Sequence, residues 1–179
     1  MRAVNPPRWR ARSRRRGVVT LEIILVLPIF LIVLMAIVEF GLLFSNEQMV
    51  ESASRAGTQV ASRLLVFPAS GAVPAEVETA VSRELAKIGV TNYRIRMEHN
   101  IDLAAPLLTM APVVLTTTTA GGPTSVPSPP AIALSPNRPY VRVTVYVWTT
   151  HLTPNLLDMY GVDLSNRVSN QTKIRGYAR

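Results

Sequence analysis

Val18 to Val38 reads VVTLEIILVLPIFLIVLMAIV, and Glu22 is the only charge in it. At about 1.5 Å per helical residue it covers roughly 31 Å, the thickness of a bilayer's hydrocarbon core. A helix buried in a soluble core normally keeps one polar side. Ile23 to Val38 offers none on any face. Phe40, Leu42, Leu43 and Phe44 extend the apolar run. These residues predict a transmembrane helix over 18–44.

The flanks orient it. Arg2, Arg8, Arg10, Arg12, Arg14, Arg15 and Arg16 precede the span with no acid among them. Beyond it stand Glu39, Glu47 and Glu51, with Arg55 as the nearest basic residue. Basic residues stay on the cytoplasmic side, so the N-terminus is expected inside and the remainder of the chain outside. A cleaved secretory signal would have a shorter apolar core and a small-x-small site at its far end. Glu39-Phe40-Gly41-Leu42 is a poor site of that kind.

Charge and composition narrow the function classes. The net charge of +8 comes almost entirely from the basic leader, residues 1–17. The rest of the chain holds twelve Lys and Arg against eleven Asp and Glu. The basicity therefore serves topology, and no nucleic-acid partner is expected. With no cysteine in 179 residues, disulfides, thiolate metal sites and cysteine nucleophiles are excluded. His99 and His151 are the only histidines and lack HExxH spacing. No GxSxG, P-loop or dinucleotide fingerprint occurs. Asp158 and Asp163 read as turn residues, and Asn170-Gln171-Thr172 is a sequon of low specificity. We therefore expect no enzyme, with no catalytic residue, cofactor or metal.

After the span the pattern changes. Met49, Ala53, Ala56, Val60 and Leu64 recur at helical spacing between Glu47, Glu51, Arg55 and Arg63. This predicts an amphipathic stalk over 45–67 that continues the same helix and stops before Pro68. Pro28 lies within the span and cannot donate to the Ile24 carbonyl, so a kink or local loosening is expected there. Ala53, Ala56 and Gly57 form a small-residue patch for close helix packing, either against another subunit or against the chain's own sheet.

Residues 68–179 read as an exported α+β domain. Val73 to Lys87 has Pro74, Glu76 and Glu78 at its start and Gly89 past its end, which predicts a helix. Tyr93, Ile95 and Met97 alternate with Arg94, Arg96 and Glu98, as a strand does. Residues 104–139 are rich in Pro and Thr and predict a long loop, with a short strand near Val113 to Thr117. That loop is either slack or a partner contact. Tyr140 to Trp148 is the clearest strand. Val141, Val143, Val145 and Val147 face the helix. Tyr140, Arg142, Thr144, Tyr146 and Trp148 face a second packing surface or a subunit interface. Leu156 to Tyr160 predicts a helical turn, and Val168 to Arg175 an edge strand. The fold class is α+β: a long N-terminal transmembrane and stalk helix packed on a small antiparallel β-sheet.

Arg14-Arg15-Arg16-Gly17 runs straight into Val18, and Glu22 is the fifth residue after Gly17. This resembles type IV prepilins, with their basic leader, terminal Gly, hydrophobic helix and Glu at mature position five. The stretch GVVTLEIILVLPIFLIVLMAIVEFGLLFSNEQMVESASRAGTQVA resembles more narrowly the TadE-like pseudopilins of tight-adherence (Tad, Flp-type) pilus systems. Leu27-Pro28, Glu39-Phe40-Gly41 and the Ala53, Arg55, Ala56, Gly57 segment carry that likeness. Ile23 departs from it, because Phe or Tyr often follows the Glu.

The resemblance implies a pilin-like outline and cleavage by a prepilin peptidase between Gly17 and Val18. Arg14, Arg15 and Arg16 would hold that bond at the cytoplasmic face. It further implies that Glu22 pairs with the new amine of a neighbouring subunit. Read from its residue type alone, Glu22 is a carboxylate tolerated near the interface, where its cost is below the roughly 3 kcal/mol of the bilayer centre. The implied partners are the bilayer, the peptidase, other pilins or pseudopilins and the inner-membrane assembly machinery. The implied location is the bacterial inner membrane. The other reading is an uncleaved single-span protein that displays a small envelope binding domain.

Overall fold

The computed structural model describes residues 14–101, 109–129, 138–163 and 167–177. Leader residues 1–13, residues 102–108 and residues 130–137 of the Pro/Thr-rich segment lie outside the described residues. One helix, α1 (Arg14–Ala61), carries both span and stalk without a break and contains Pro28. Its 48 residues would measure about 72 Å in regular α-helix. Its apolar window is not buried by the other described residues. In water this exposure of Ile24, Leu25, Phe30 and Leu31 would be unfavourable. A single apolar N-terminal helix of this kind fits a membrane-anchored protein.

The stalk ends earlier than its spacing predicts. After Ala61 the chain tightens into i→i+3 bonds, Arg63 N–H to the Val60 carbonyl at 2.9 Å and Leu64 N–H to the Ala61 carbonyl at 3.3 Å. The cause is Phe67. Its ring lies 4.8 Å from that of His99 and 5.6 Å, edge-on, from that of Tyr177. The chain must leave the helix axis to bring Phe67 over the top of the sheet.

Helix α2 (Ala75–Ala86) buries Val77, Ala80, Val81 and Leu85. Glu76 and Glu78 occupy its first turn, where the helix dipole favours them. It ends in a Schellman motif. Gly89 takes φ +72°, its N–H bonds the Ala86 carbonyl, and Val90 N–H bonds the Leu85 carbonyl.

Among the described residues four strands follow: β1 (Tyr93–Ile101), β2 (Thr109–Thr118), β3 (Tyr140–Trp148) and β4 (Val168–Gly176). They form one sheet in the order β2-β1-β3-β4, with all neighbours antiparallel. The helices cover one face. There Val50, Ala53, Val77, Val81 and Leu85 meet Ile95, Met97 and the four valines of β3 in a single core. The α+β arrangement is the one expected.

The Pro/Thr-rich segment is not all loop. Residues 109–118 form a full edge strand, against the short strand expected. Pro112 is tolerated because the pairing with β1 shifts register between His99 and Ile101, and an edge strand can spare an N–H. The chain then climbs the far face of the sheet. Trp148 Nε1 donates to the Gly121 carbonyl at 3.2 Å, Arg94 to the Thr124 carbonyl, and the Tyr146 hydroxyl to the Pro127 carbonyl at 3.3 Å. Tyr146, Thr144 and Arg142 are buried. The second face of β3 is therefore a packing surface within the chain.

Candidate functional site

The sequence-selected residues lie along α1. Arg14, Arg15, Arg16, Gly17 and Val18 occupy its first turns, so the Gly17–Val18 bond is within helical backbone. Glycine costs a helix about 1 kcal/mol relative to alanine, which makes this turn easier to open than its neighbours. Glu22 is exposed one turn further on, at the i+4 position from Val18.

The small-residue patch faces inward. Ala53 and Gly57 are buried and Ala56 is half-buried. A Cβ on Gly57 would stand 2.7 Å from Val81 Cγ2 and 3.2 Å from Val143 Cγ1. The missing side chain is thus what lets α1 approach α2 and β3. Ser54 Oγ donates to the Val143 carbonyl at 2.8 Å, and Thr58 Oγ1 to the Ser54 carbonyl at 2.7 Å.

The residues that sequence reasoning missed lie at the junction of span and head. Glu39, one residue past Val38, is completely buried. Its Oε2 accepts the Leu157 N–H at 2.8 Å and its Oε1 the Thr153 hydroxyl at 3.4 Å. Asn46 Nδ2 donates to the Leu152 carbonyl at 2.6 Å, and Ser169 Oγ to Glu47 Oε1 at 3.1 Å. A lone carboxylate at the end of an apolar run was the available signal, since a buried charge needs partners. The sequence could not say which residues, more than a hundred positions away, would supply them.

Higher up, Lys173 Nζ lies 2.5 Å and Arg55 2.7 Å from Glu51 Oε1. Hydrogen bonds from Lys173 and then Arg55 hold the Glu51 carboxyl below its usual range. On the far face the Tyr140 hydroxyl donates to Glu98 at 2.7 Å, and Arg142 lies 3.4 Å from the same carboxylate. Burial first, then the Glu98 contact, pushes the Tyr140 hydroxyl up to about 12. His99 is buried near the top of the head, with Nε2 3.2 Å from the Pro68 carbonyl. Burial pushes its pKa down.

His151 is exposed below the sheet, at the end opposite His99, so the two histidines are not brought together. Among the described residues no group of three or more His, Asp or Glu is placed to hold a metal ion. Asp158 and Asp163 sit in the loop below β3. The sequon lies inside β4, where Thr172 Oγ1 is 3.0 Å from Thr144 Oγ1.

Residues 17–59 match the family model described as TadE-like protein. The match bears out the resemblance carried by Gly17, Glu22, Leu27-Pro28, Glu39-Phe40-Gly41 and the small-residue segment. No curated protein and no solved structure gives a match.

Proposed function

With residues 17–59 as a TadE-like segment, we propose that the chain is a minor pseudopilin of a Tad/Flp-type pilus or related secretion system, acting in pilus assembly or adhesion. The observation that carries this reading is the continuity of the matched segment. It runs on one helix from Gly17 to two residues short of the helix end at Ala61.

The arginines before Gly17 hold the N-terminus on the cytoplasmic side of the inner membrane. A prepilin peptidase cuts after Gly17, whose turn is easier to unwind than its neighbours. The product keeps its anchor, because the apolar helix lies beyond the cut. Its new amine is on Val18. Glu22 then pairs with the corresponding amine of a neighbouring pilin, which offsets the cost of a carboxylate close to the acyl chains. The head stands on the outer side. The role is structural, with no chemical step assigned to the head.

Intact mass of the membrane-extracted protein tests the cut. Loss of Met1–Gly17, with or without a methyl group on Val18, is the expected result. A full-length chain from cells that contain a prepilin peptidase overturns it and favours the uncleaved anchor. Glu22→Ala is expected to leave cleavage intact and to lower incorporation into the assembly. Unchanged incorporation removes the proposed pairing.

A further inference from the structure

The hydrogen bonds between head and α1 form a ladder that descends the helix. Ser54 meets Val143, Glu47 meets Ser169, Asn46 meets Leu152 and Glu39 meets Leu157. From Ser54 to Glu39 this covers about 22 Å of helix. The segment between β3 and β4 is therefore the lowest described part of the head, and it reaches the level where the apolar run ends at Val38. On the helix at that level Phe40, Leu42 and Phe44 remain exposed. The apolar surface of the span thus continues upward beside this loop.

The loop is held firmly but presents apolar residues outward. Leu157 is 5% exposed, and its N–H is fixed by Glu39. Leu156–Tyr160 forms a 3-10 turn closed by Gly161 at φ +82°, with Val162 N–H bonded to the Leu157 carbonyl at 3.2 Å. From this support Met159 is 82% exposed, Tyr160 46% and Val162 45%. A loop facing only water gains nothing from so exposed a methionine.

We propose that this turn is a lipid-facing foot. Met159, Tyr160 and Val162 enter the outer headgroup–acyl boundary of the bilayer that α1 spans, and so seat the head at a second point. Tyr is a residue suited to that boundary, with its ring toward the acyl chains and its hydroxyl toward water. The chemistry favours apolar burial over attraction to anionic lipid. Residues 152–163 contain no Lys or Arg, and Asp158 and Asp163 flank the tip. The foot also accounts for Glu39. A carboxylate at the rim of the span is costly when open to lipid, and the loop that reaches the rim covers it.

This inference rests on α1 spanning a membrane and is independent of the pilus reading. Because the chain has no cysteine, single-cysteine variants of the full chain can carry an environment-sensitive fluorophore. Met159→Cys and Val162→Cys report the foot. Phe30→Cys reports the span, and Leu65→Cys, 75% exposed just beyond the far end of the stalk, reports water. The proteins are reconstituted at high dilution into zwitterionic phosphatidylcholine vesicles with lipid-borne quenchers at shallow or deep positions.

The expected result is blue-shifted emission at 159 and 162 that is quenched by the shallow lipid quencher and unaffected by salt. Emission at 30 should be quenched by the deep quencher, and emission at 65 by neither. Quenching at 30 without quenching at 159 and 162 overturns the foot and leaves the anchor standing. No quenching at any position overturns the anchor and the foot together. A blue shift at 159 that ignores lipid quenchers and fades on dilution overturns the proposal and assigns the tip to a second copy of this chain.

Discussion

The two halves of α1 are one continuous helix in two solvents. Below Glu39 the large apolar side chains point outward, and nothing among the described residues covers them. Above it Val50, Ala53, Gly57 and Ala61 are buried by α2 and the sheet, with Glu51 and Arg55 on the wet side. The difference is one of composition. The lower half is apolar all round, so only lipid or other apolar helices can solvate it. The upper half is amphipathic, so its own chain completes it. The boundary is a residue that suits neither solvent, the buried carboxylate of Glu39.

The largest expected effect is a charge in the lower half. Leu31→Arg should cost on the order of 3 kcal/mol of insertion free energy. Gln59→Arg, exposed on the upper half, should change little. Fractionation between carbonate-washed membranes and supernatant measures both. Equal retention of the two variants would abolish the distinction between the halves.

Two glycines make the next comparison. Gly57→Ala should destabilise the head by about 1–3 kcal/mol, because Val81 is packed where the new methyl must go. Gly41→Ala, with open space around it, should be neutral or stabilising by up to about 1 kcal/mol. Urea unfolding in micelles, followed by Trp148 fluorescence in a Trp9→Phe background, reads both. A Gly57→Ala midpoint equal to that of the parent would show that contact between α1 and α2 is looser than described.

The boundary itself is tested by Glu39→Ala. The change leaves the buried Leu157 N–H without its acceptor, at a cost of about 1–3 kcal/mol. Glu39→Gln keeps an acceptor and should cost less. Hydrogen exchange at the Leu157 amide should accelerate in the first variant, and an unchanged rate would remove Glu39 from its role as the tie.

The smallest effect concerns the top of the head, furthest from the span. Burial lowers the pKa of His99 from an ordinary value of 6.5. Above that value the histidine is neutral in both folded and unfolded chains, and its site is fully stable. As pH falls below it the unfolded chain takes up the proton first, so stability declines until the folded pKa is reached. The urea midpoint should therefore drop as pH falls from about 7 through the ordinary histidine value. His99→Gln should flatten that drop and His151→Gln should not. Identical slopes in the two variants would show that His99 does not titrate on unfolding.

Much of this was legible because it is local. The span shows as an unbroken apolar run, and the stalk as a three-and-four spacing. Tyr140–Trp148 shows as strict alternation, found at the same bounds in β3. What was not legible depends on remote partners. Pro112 argues against a strand until β1 provides an edge with a register shift. The helical spacing runs on to Pro68 until His99 and Tyr177 draw Phe67 aside. The small residues at 53, 56 and 57 permit close packing with any partner. Only the positions of Val81 and Val143 assign them to the chain itself.

The sequence by itself determined that one helix is too apolar for water below residue 39 and amphipathic above it, because side-chain hydration is a property of the residue and its period. Only the tertiary structure decided where the head sits along that helix. Hydrogen bonds and packing between Glu39 and Leu157, and between Gly57 and Val81, join residues far apart in the chain, and their geometry exists only once the sheet has closed over α1.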